Sequence, residues 1–428
     1  MRTALILLAA VGLTATAADP PPGFPKFRTQ QIASDLSIGY AVLTADINGD
    51  GKPDIVIVDK HRVVWYENPT WKVRTILQGK TKPDNVCAVA VDIDGGGDLE
   101  LVLGANWNAG TAVPGTLQWL KRGKSLDDEW TLHPIPCDEP TVHRMRVVEN
   151  FYGDGKRHLF VAPLQGRDCT AKGNWTDGRP VQIVVYPIPA DPTKPDAWKP
   201  QPIGDKFPLG GNDFFCVHNI RPYRDRIAEG MPESGQRWYL LMASNLGPTS
   251  LAVGRGRDTG GIFNGAIHYN KQAAANKGGA SEIAATRIKS PVYATIEPWH
   301  GNQVVTYTMP PMSELPRPWD RHVIDDHLRW GHAIAFADLD GDGMDELVAG
   351  VRDDPNPKAG DKFTERRGVR LYRCTDGKGE KWDRFILEDG GVAVEDLAVA
   401  DLNGDGKPDI VAVGRQTGNC RIYWNEGK

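Results

Sequence analysis

No CxxC pair occurs among the six cysteines (Cys87, Cys137, Cys169, Cys216, Cys374 and Cys420), which excludes a zinc ribbon and a thioredoxin-type redox motif. Their spacing discloses no disulfide pairing, and a chain of 428 residues can build a core without one. Beyond the N-terminus there is no run of about 18 apolar residues, so no membrane-spanning helix is expected. Neither charge sign dominates. Fifty Lys and Arg stand against 55 Asp and Glu, a net charge of −5, and a balance of this kind argues against a nucleic-acid partner. Long amphipathic helical patterns are missing. So are GxSxG, HExxH, Walker and GxGxxG arrangements in the context each requires. What remains is a globular composition, 40% hydrophobic and 25% charged, rich in turn formers (47 Gly, 32 Pro) and in Trp (13).

The N-terminus reads as a leader. Arg2 precedes an apolar stretch, Ala4 to Leu13, and Ala15-Thr16-Ala17 gives a small-x-small cleavage pattern. The expected organisation is a signal peptide over 1–17, a proline-stiffened linker over 18–26 and one domain over 27–428, exported to the periplasm or beyond the cell. An uncleaved anchor is the alternative. Asn174-Trp-Thr176 fits a glycosylation acceptor and is also a common chance match.

Internal repetition determines the fold class. Asp46-Ile-Asn48-Gly-Asp50-Gly-Lys52-Pro-Asp54 returns as Asp338-Leu-Asp340-Gly-Asp342-Gly-Met344-Asp-Glu346 and as Asp401-Leu-Asn403-Gly-Asp405-Gly-Lys407-Pro-Asp409. Decayed copies begin at Asp92 and Asn150. Each copy lies between two β-patterned runs. A third run ending in an aromatic follows (Val63–Tyr66, Leu117–Trp119, Arg421–Trp424), then a fourth opened by Trp (Trp71–Ile76, Trp130–Ile135, Trp319–Ile324). Four antiparallel strands per repeat are the blade of a β-propeller, so the chain is expected to be all-β. The 188 residues from Asn150 to Asp338 leave room for two blades without the motif, near Phe214–His218 and Ser281–Ile283, making seven. The last repeat stops after three strands. Phe27–Ile32 resembles the other fourth strands and is expected to close the ring, leaving no open edge.

Alternating oxygens at positions 1, 3, 5 and 9 of a glycine-bearing turn, with the carbonyl at position 7, suit a hard cation. The expected Ca²⁺ ligands are Asp46, Asn48, Asp50, Lys52 and Asp54; Asp338, Asp340, Asp342, Met344 and Glu346; and Asp401, Asn403, Asp405, Lys407 and Asp409. A metal-free Asp/Asn/Gly turn is the alternative. These loops join strands one and two, so the starts of strand one and the turns between strands two and three share the opposite face. The starts carry His143 and Arg144, His218, Glu282, His332 and Glu395, and the turns carry Trp107, Trp299, His300, Arg352 and Arg415. Several His with a carboxylate suit Zn²⁺ or another divalent ion with an open position. A remaining His or Glu would serve as base, and Arg would assist a leaving group. Trp107, Trp299 and Trp330 suit stacking on a sugar, or else blade packing. A polar, solvated channel is the bland reading of the whole cluster. Register complicates the set: His332 and Glu395 stand six residues before their motifs, His143 seven, and a one-residue slip reverses a side chain.

The repeats resemble the FG-GAP/VCBS propeller family, which also includes integrin α-chain propellers. Val142–Arg146, Ile296–Gln303, Leu328–His332, Gly350–Asp354 and Val394–Leu397 are similar to the propeller domain of the aldos-2-ulose dehydratase family. That resemblance implies a metal-dependent lyase that eliminates water beside the carbonyl of a keto-sugar such as 1,5-anhydrofructose. A non-catalytic propeller binding carbohydrate or protein, and another sugar-active lyase or hydrolase, are the competing expectations.

Overall fold

Each repeat contributes one strand that is apolar on both faces and one that alternates. The second strands of blades 1, 2, 6 and 7 (Asp54–Asp59, Glu100–Ala105, Glu346–Val351, Asp409–Gly414) are buried at every residue. They are covered by neighbouring blades on both sides, which is why they read as continuous hydrophobic runs. Fourth strands such as Trp382–Asp389 alternate between buried and exposed, as an outer edge requires.

In the computed structural model these strands form seven antiparallel sheets. It describes residues 14–16, 19–108, 113–172, 175, 177–202, 214–225, 237–253, 262–263, 279–288, 290–314, 318–328, 330–353 and 367–428. The first strands of the seven blades are Gly39–Ala45, Cys87–Val91, Val142–Glu149, Val217–Asp225, Glu282–Arg287, Gly331–Ala337 and Val394–Ala400. They touch in sequence order and the seventh returns to the first, so the ring is closed. The architecture is the expected seven-bladed propeller. Asn174, Ile203 (the end of a further Trp-opened run, Trp198–Ile203) and most of the leader segment lie outside the described residues. Thr14–Thr16, inside that segment, pair as a fifth strand on the outer edge of blade 7, with Thr14 opposite Gln30. Among the described residues no helix is long and apolar enough to cross a membrane.

Blade 7 is closed by Lys26–Ala33, which pairs antiparallel with Cys420–Gly427, as expected for the missing fourth strand. The core is not central but lies between blades. Val56, Val58 and Trp65 of blade 1 pack with Leu101, Leu103 and Trp130 of blade 2. Phe27, brought by the N-terminal strand, joins Leu371 and Phe385 of blade 6 and Ala412 and Tyr423 of blade 7. The seal between chain ends is therefore partly hydrophobic, and Phe27→Ala should cost about 3–4 kcal/mol by removing a buried ring. Chemical denaturation of the variant measures it. A loss below about 1 kcal/mol would show that the N-terminal strand is not part of the closing core.

Candidate functional site

A β-bulge at the start of the first strand recurs through the site. In five blades the pairing with strand two skips one residue at this point: Tyr40, His143, His218, His332 and Glu395. A bulge inserts one unpaired residue and re-aims its side chain. This removes the register problem. His143 and His332 differ in distance from their acidic loops, but each occupies the bulge and both line one cavity of about 280 Å³.

The bulge imidazoles are oriented by the next blade. His143 Nδ1 donates to the carbonyl of His218 at 2.9 Å, and His218 Nδ1 donates to that of Ser281 at 2.7 Å. His332 Nδ1 donates to the carbonyl of Glu395 at 2.5 Å. A ring that donates from Nδ1 to a carbonyl carries its lone pair on Nε2, where it accepts a proton, a hydrogen bond or a metal. Blade 5 has no bulge and sends His300 from its second-to-third turn instead, from a left-handed conformation (φ 48°). His300 Nε2 lies 2.8 Å from His218 Nε2, and ligating atoms of His218, His300 and His332 all fall within 4.8 Å of one another. His143 stands beside this trio, its ring 4.5 Å from that of His218.

Burial lowers the pKa of all four imidazoles. For His143, Arg144 and His218 add to the effect; for His300 and His332, Arg352 does. His218 is lowered by burial against an opposing pull from Glu282. The rings are therefore neutral at pH 7, the state that coordinates a metal or accepts a proton.

Two carboxylates balance the arginines. Glu395 accepts from Arg352 NH1 at 2.5 Å and from Arg415 NH1 at 2.8 Å. Burial pushes its carboxyl up, but Arg352 and Arg415 outweigh that and hold it below the usual range. Arg415 lies over the ring of Tyr40, 5.1 Å from its centroid, and the Tyr40 hydroxyl donates to Asp84 at 2.5 Å. Glu282 sits beneath the imidazoles: it approaches His218 Nδ1 at 2.9 Å and Arg144 at 3.7 Å and accepts from Asn219 Nδ2.

Trp107 and Trp299 line the cavity, and Trp107 Nε1 is buried without a hydrogen-bond partner among the described residues. Trp330 does not line it. Its ring backs His300 at 5.8 Å and supports Arg352 at 5.6 Å, so it orients the site from behind. Of the residues read as site candidates on this face, His143, His218, His300, His332, Glu395, Arg144, Trp107, Trp299, Arg352 and Arg415 converge, while Glu282 and Trp330 buttress them. Sequence reasoning missed Gln165, Cys216 and Trp175 on the wall. Cys216 pairs with Gln165 through an isolated bridge between blades, which no repeat motif announces.

On the other face, Asp46 accepts backbone N–H groups from Gly49, Asp50 and Gly51 at 2.8–3.0 Å, and Asp338 and Asp401 repeat the pattern. Gly49 and Gly51 adopt φ of 77° and 85°, which the turn requires. The acids at position 9 act first as anchors: Asp54 accepts from Ile47 and Asn68, Glu346 from Leu339 and Asp340, and Asp409 from Leu402 and Asn425. Carboxylate oxygens of Asp338, Asp340 and Glu346 still converge, as do those of Asp92, Asp94 and Glu100 in a decayed copy.

The chain carries FG-GAP-like repeats, matched over residues 46–103 and 362–412. It is 23% identical to aldos-2-ulose dehydratase of Phanerodontia chrysosporium over 91% of its own length and 41% of that protein. It is 32% identical to integrin alpha pat-2 of Caenorhabditis briggsae over 108 residues, 24% of this chain and 7% of the integrin. The chain thus spans less than half the length of either curated relative. Among solved structures, BBS1N, crystallised in complex with ARL6DN, matches over 97% of each chain with a TM-score of 0.52 at 11% identity, a likeness of fold alone.

Glu395 is the only carboxylate contact seen for Arg352 among the described residues, and it is 4% exposed. Glu395→Gln should therefore destabilise the protein by about 3–5 kcal/mol, because it leaves buried guanidinium charge uncompensated. A denaturation midpoint within error of the parent would contradict the assigned pairing.

Proposed function

We propose that the protein is an exported, metal-dependent carbon–oxygen lyase that removes water from a keto-sugar. The convergence of His218, His300 and His332, neutral and with the bulge rings anchored through Nδ1, is the observation that carries this reading. The 23% identity to aldos-2-ulose dehydratase supports the reaction class.

Three neutral imidazoles fit Zn²⁺ or a similar divalent ion with an open position. Held there, the ion would polarise the keto oxygen and stabilise the enolate. The chain's own groups do the rest. His143 Nε2 accepts the proton from the carbon beside the carbonyl. The C–O bond at the next carbon breaks, and Arg144, 3.4 Å from His143 Nε2, hydrogen-bonds the departing oxygen. The proton on His143 then passes to that hydroxide, which leaves as water, so the products are an enone and water. Glu282 is a positioning residue for His218 and Arg144. The buried Trp107 N–H donates to a sugar hydroxyl. The acidic loops would hold structural Ca²⁺ between the Asp and Asn oxygens and the position-7 carbonyls.

The Trp107 N–H, without a partner among the described residues, fits equally a propeller that binds carbohydrate without turnover, and the two readings part on one experiment. The purified mature chain, loaded with Zn²⁺, is incubated with 1,5-anhydrofructose and related keto-sugars while ultraviolet absorbance is followed. The lyase reading predicts a growing enone band. In both His143→Ala and His332→Ala it predicts a loss of about 10²-fold or more with the fold retained. Retained turnover in both variants would overturn the site. Sugar binding without an enone would establish the non-catalytic reading.

A further inference from the structure

Beneath the imidazoles the propeller axis holds a second cavity, of about 600 Å³. The first strand of blade 1 places it. Tyr40 lines the upper cavity, Ala41 to Ala45 line the second, and the acidic loop begins at Asp46. The two spaces are stacked along the axis, with Arg144 in the wall of both.

One side of this lower cavity is apolar except for Thr44, formed by Ala41–Ala45 and Ala88–Ala90. The other is charged. Arg144 and Arg146 of blade 3 and Arg221 of blade 4 share it with Glu282 of blade 5 and Asp396 of blade 7, three formal positive charges against two negative. Each carboxylate accepts one hydrogen bond, and Glu282 Oε1 has only the charge contacts to His218 and Arg144, without a hydrogen-bond partner among the described residues. Glu282 accepts from Asn219 and approaches His218, and Asp396 accepts the Val42 N–H at 3.0 Å. Arg146 donates to the Met145 carbonyl at 2.7 Å and to Asn219 Oδ1 at 3.1 Å. Arg221 Nε is buried with no hydrogen-bond partner among the described residues. Burial, and then repulsion by Arg221 and Arg144, lowers the Arg146 pKa to about 10. Like charges held together out of bulk water with an orphaned donor are stabilised by an acceptor-rich anion.

We infer that this axial cavity is a binding site for a small oxyanion, a phosphate or a carboxylate, held by Arg146 and Arg221. A guanidinium offers paired N–H donors that match two oxygens of either group. The alanine-lined side leaves room beside the anion for the body of a sugar acid. The inference concerns a different cavity from the proposed lyase site and stands whether or not that site turns over.

Calorimetric titration of the full chain at low ionic strength tests it, with inorganic phosphate and with glucuronate as probes and sodium chloride as control. Saturable binding of at least one probe at one site is expected, weakened about tenfold or more in Arg146→Gln and in Arg221→Gln. Arg221→Lys keeps the charge and loses the paired donors, so it should bind with intermediate affinity. His332→Ala, which alters only the upper cavity, should bind like the parent. Phosphate alone would assign the site to an inorganic ion and glucuronate alone to a sugar acid, either one supporting the inference. No saturable binding of either probe below about 10 mM would overturn it. So would parental affinity in both glutamine variants, with the fold verified by circular dichroism.

Discussion

The inter-blade hydrogen bond from a bulge histidine to the neighbouring carbonyl is the contact on which the face site depends. It runs from His143 to His218, from His218 to Ser281 and from His332 to Glu395. Each bond fixes a ring against the next sheet and leaves Nε2 facing the cavity. Any change in the angle between two blades would move an imidazole. Closure of the ring is thus a condition of the site as well as of stability, since an open blade 7 would release Glu395 from its neighbours. The Val42 N–H donating to Asp396 ties blade 1 to blade 7 directly below that point.

Charge is arranged in layers around those rings. Neutral imidazoles occupy the centre, Arg352 and Arg415 grip Glu395 on one side, and Arg144 leans toward Glu282 on the other. Buried carboxylates and guanidiniums are tolerable together because each compensates the other, and losing one strands its partner. The arginines also lower the neighbouring imidazole pKa values, which keeps the rings unprotonated without a local base. The same surplus of guanidinium extends below the imidazoles, where Arg221 Nε has no hydrogen-bond partner among the described residues.

Much of this was legible in the residues. The acidic nonapeptides marked strand one against strand two, the aromatic and Trp signals marked strands three and four, and the 188-residue gap gave two unmarked blades. Phe27–Ile32 could be placed because its pattern matches other fourth strands. The face site followed from alternation of connections in a meander. The bulge was not legible: whether His143 or its neighbour faces the cavity depends on one unpaired residue, and no composition signal marks it. Trp330 looked like a stacking platform because it starts a strand, yet His300 and Arg352 cover it. Gln165 and Cys216 were invisible because they meet through a bridge between blades with no repeat of its own. The position-9 acids read as ligands, and their first use is to hold backbone N–H groups, a role that spacing alone does not distinguish.

The central claim is that His218, His300 and His332 form one metal centre. Titrating the purified chain with Co²⁺ in calcium-saturated buffer, and recording the visible spectrum, tests it most directly. One equivalent of Co²⁺ is expected to bind with the intense d–d bands of a nitrogen-rich, low-coordinate site, and to be lost in His300→Ala. A chain that takes up no Co²⁺, or whose spectrum is unchanged by His300→Ala, would contradict it.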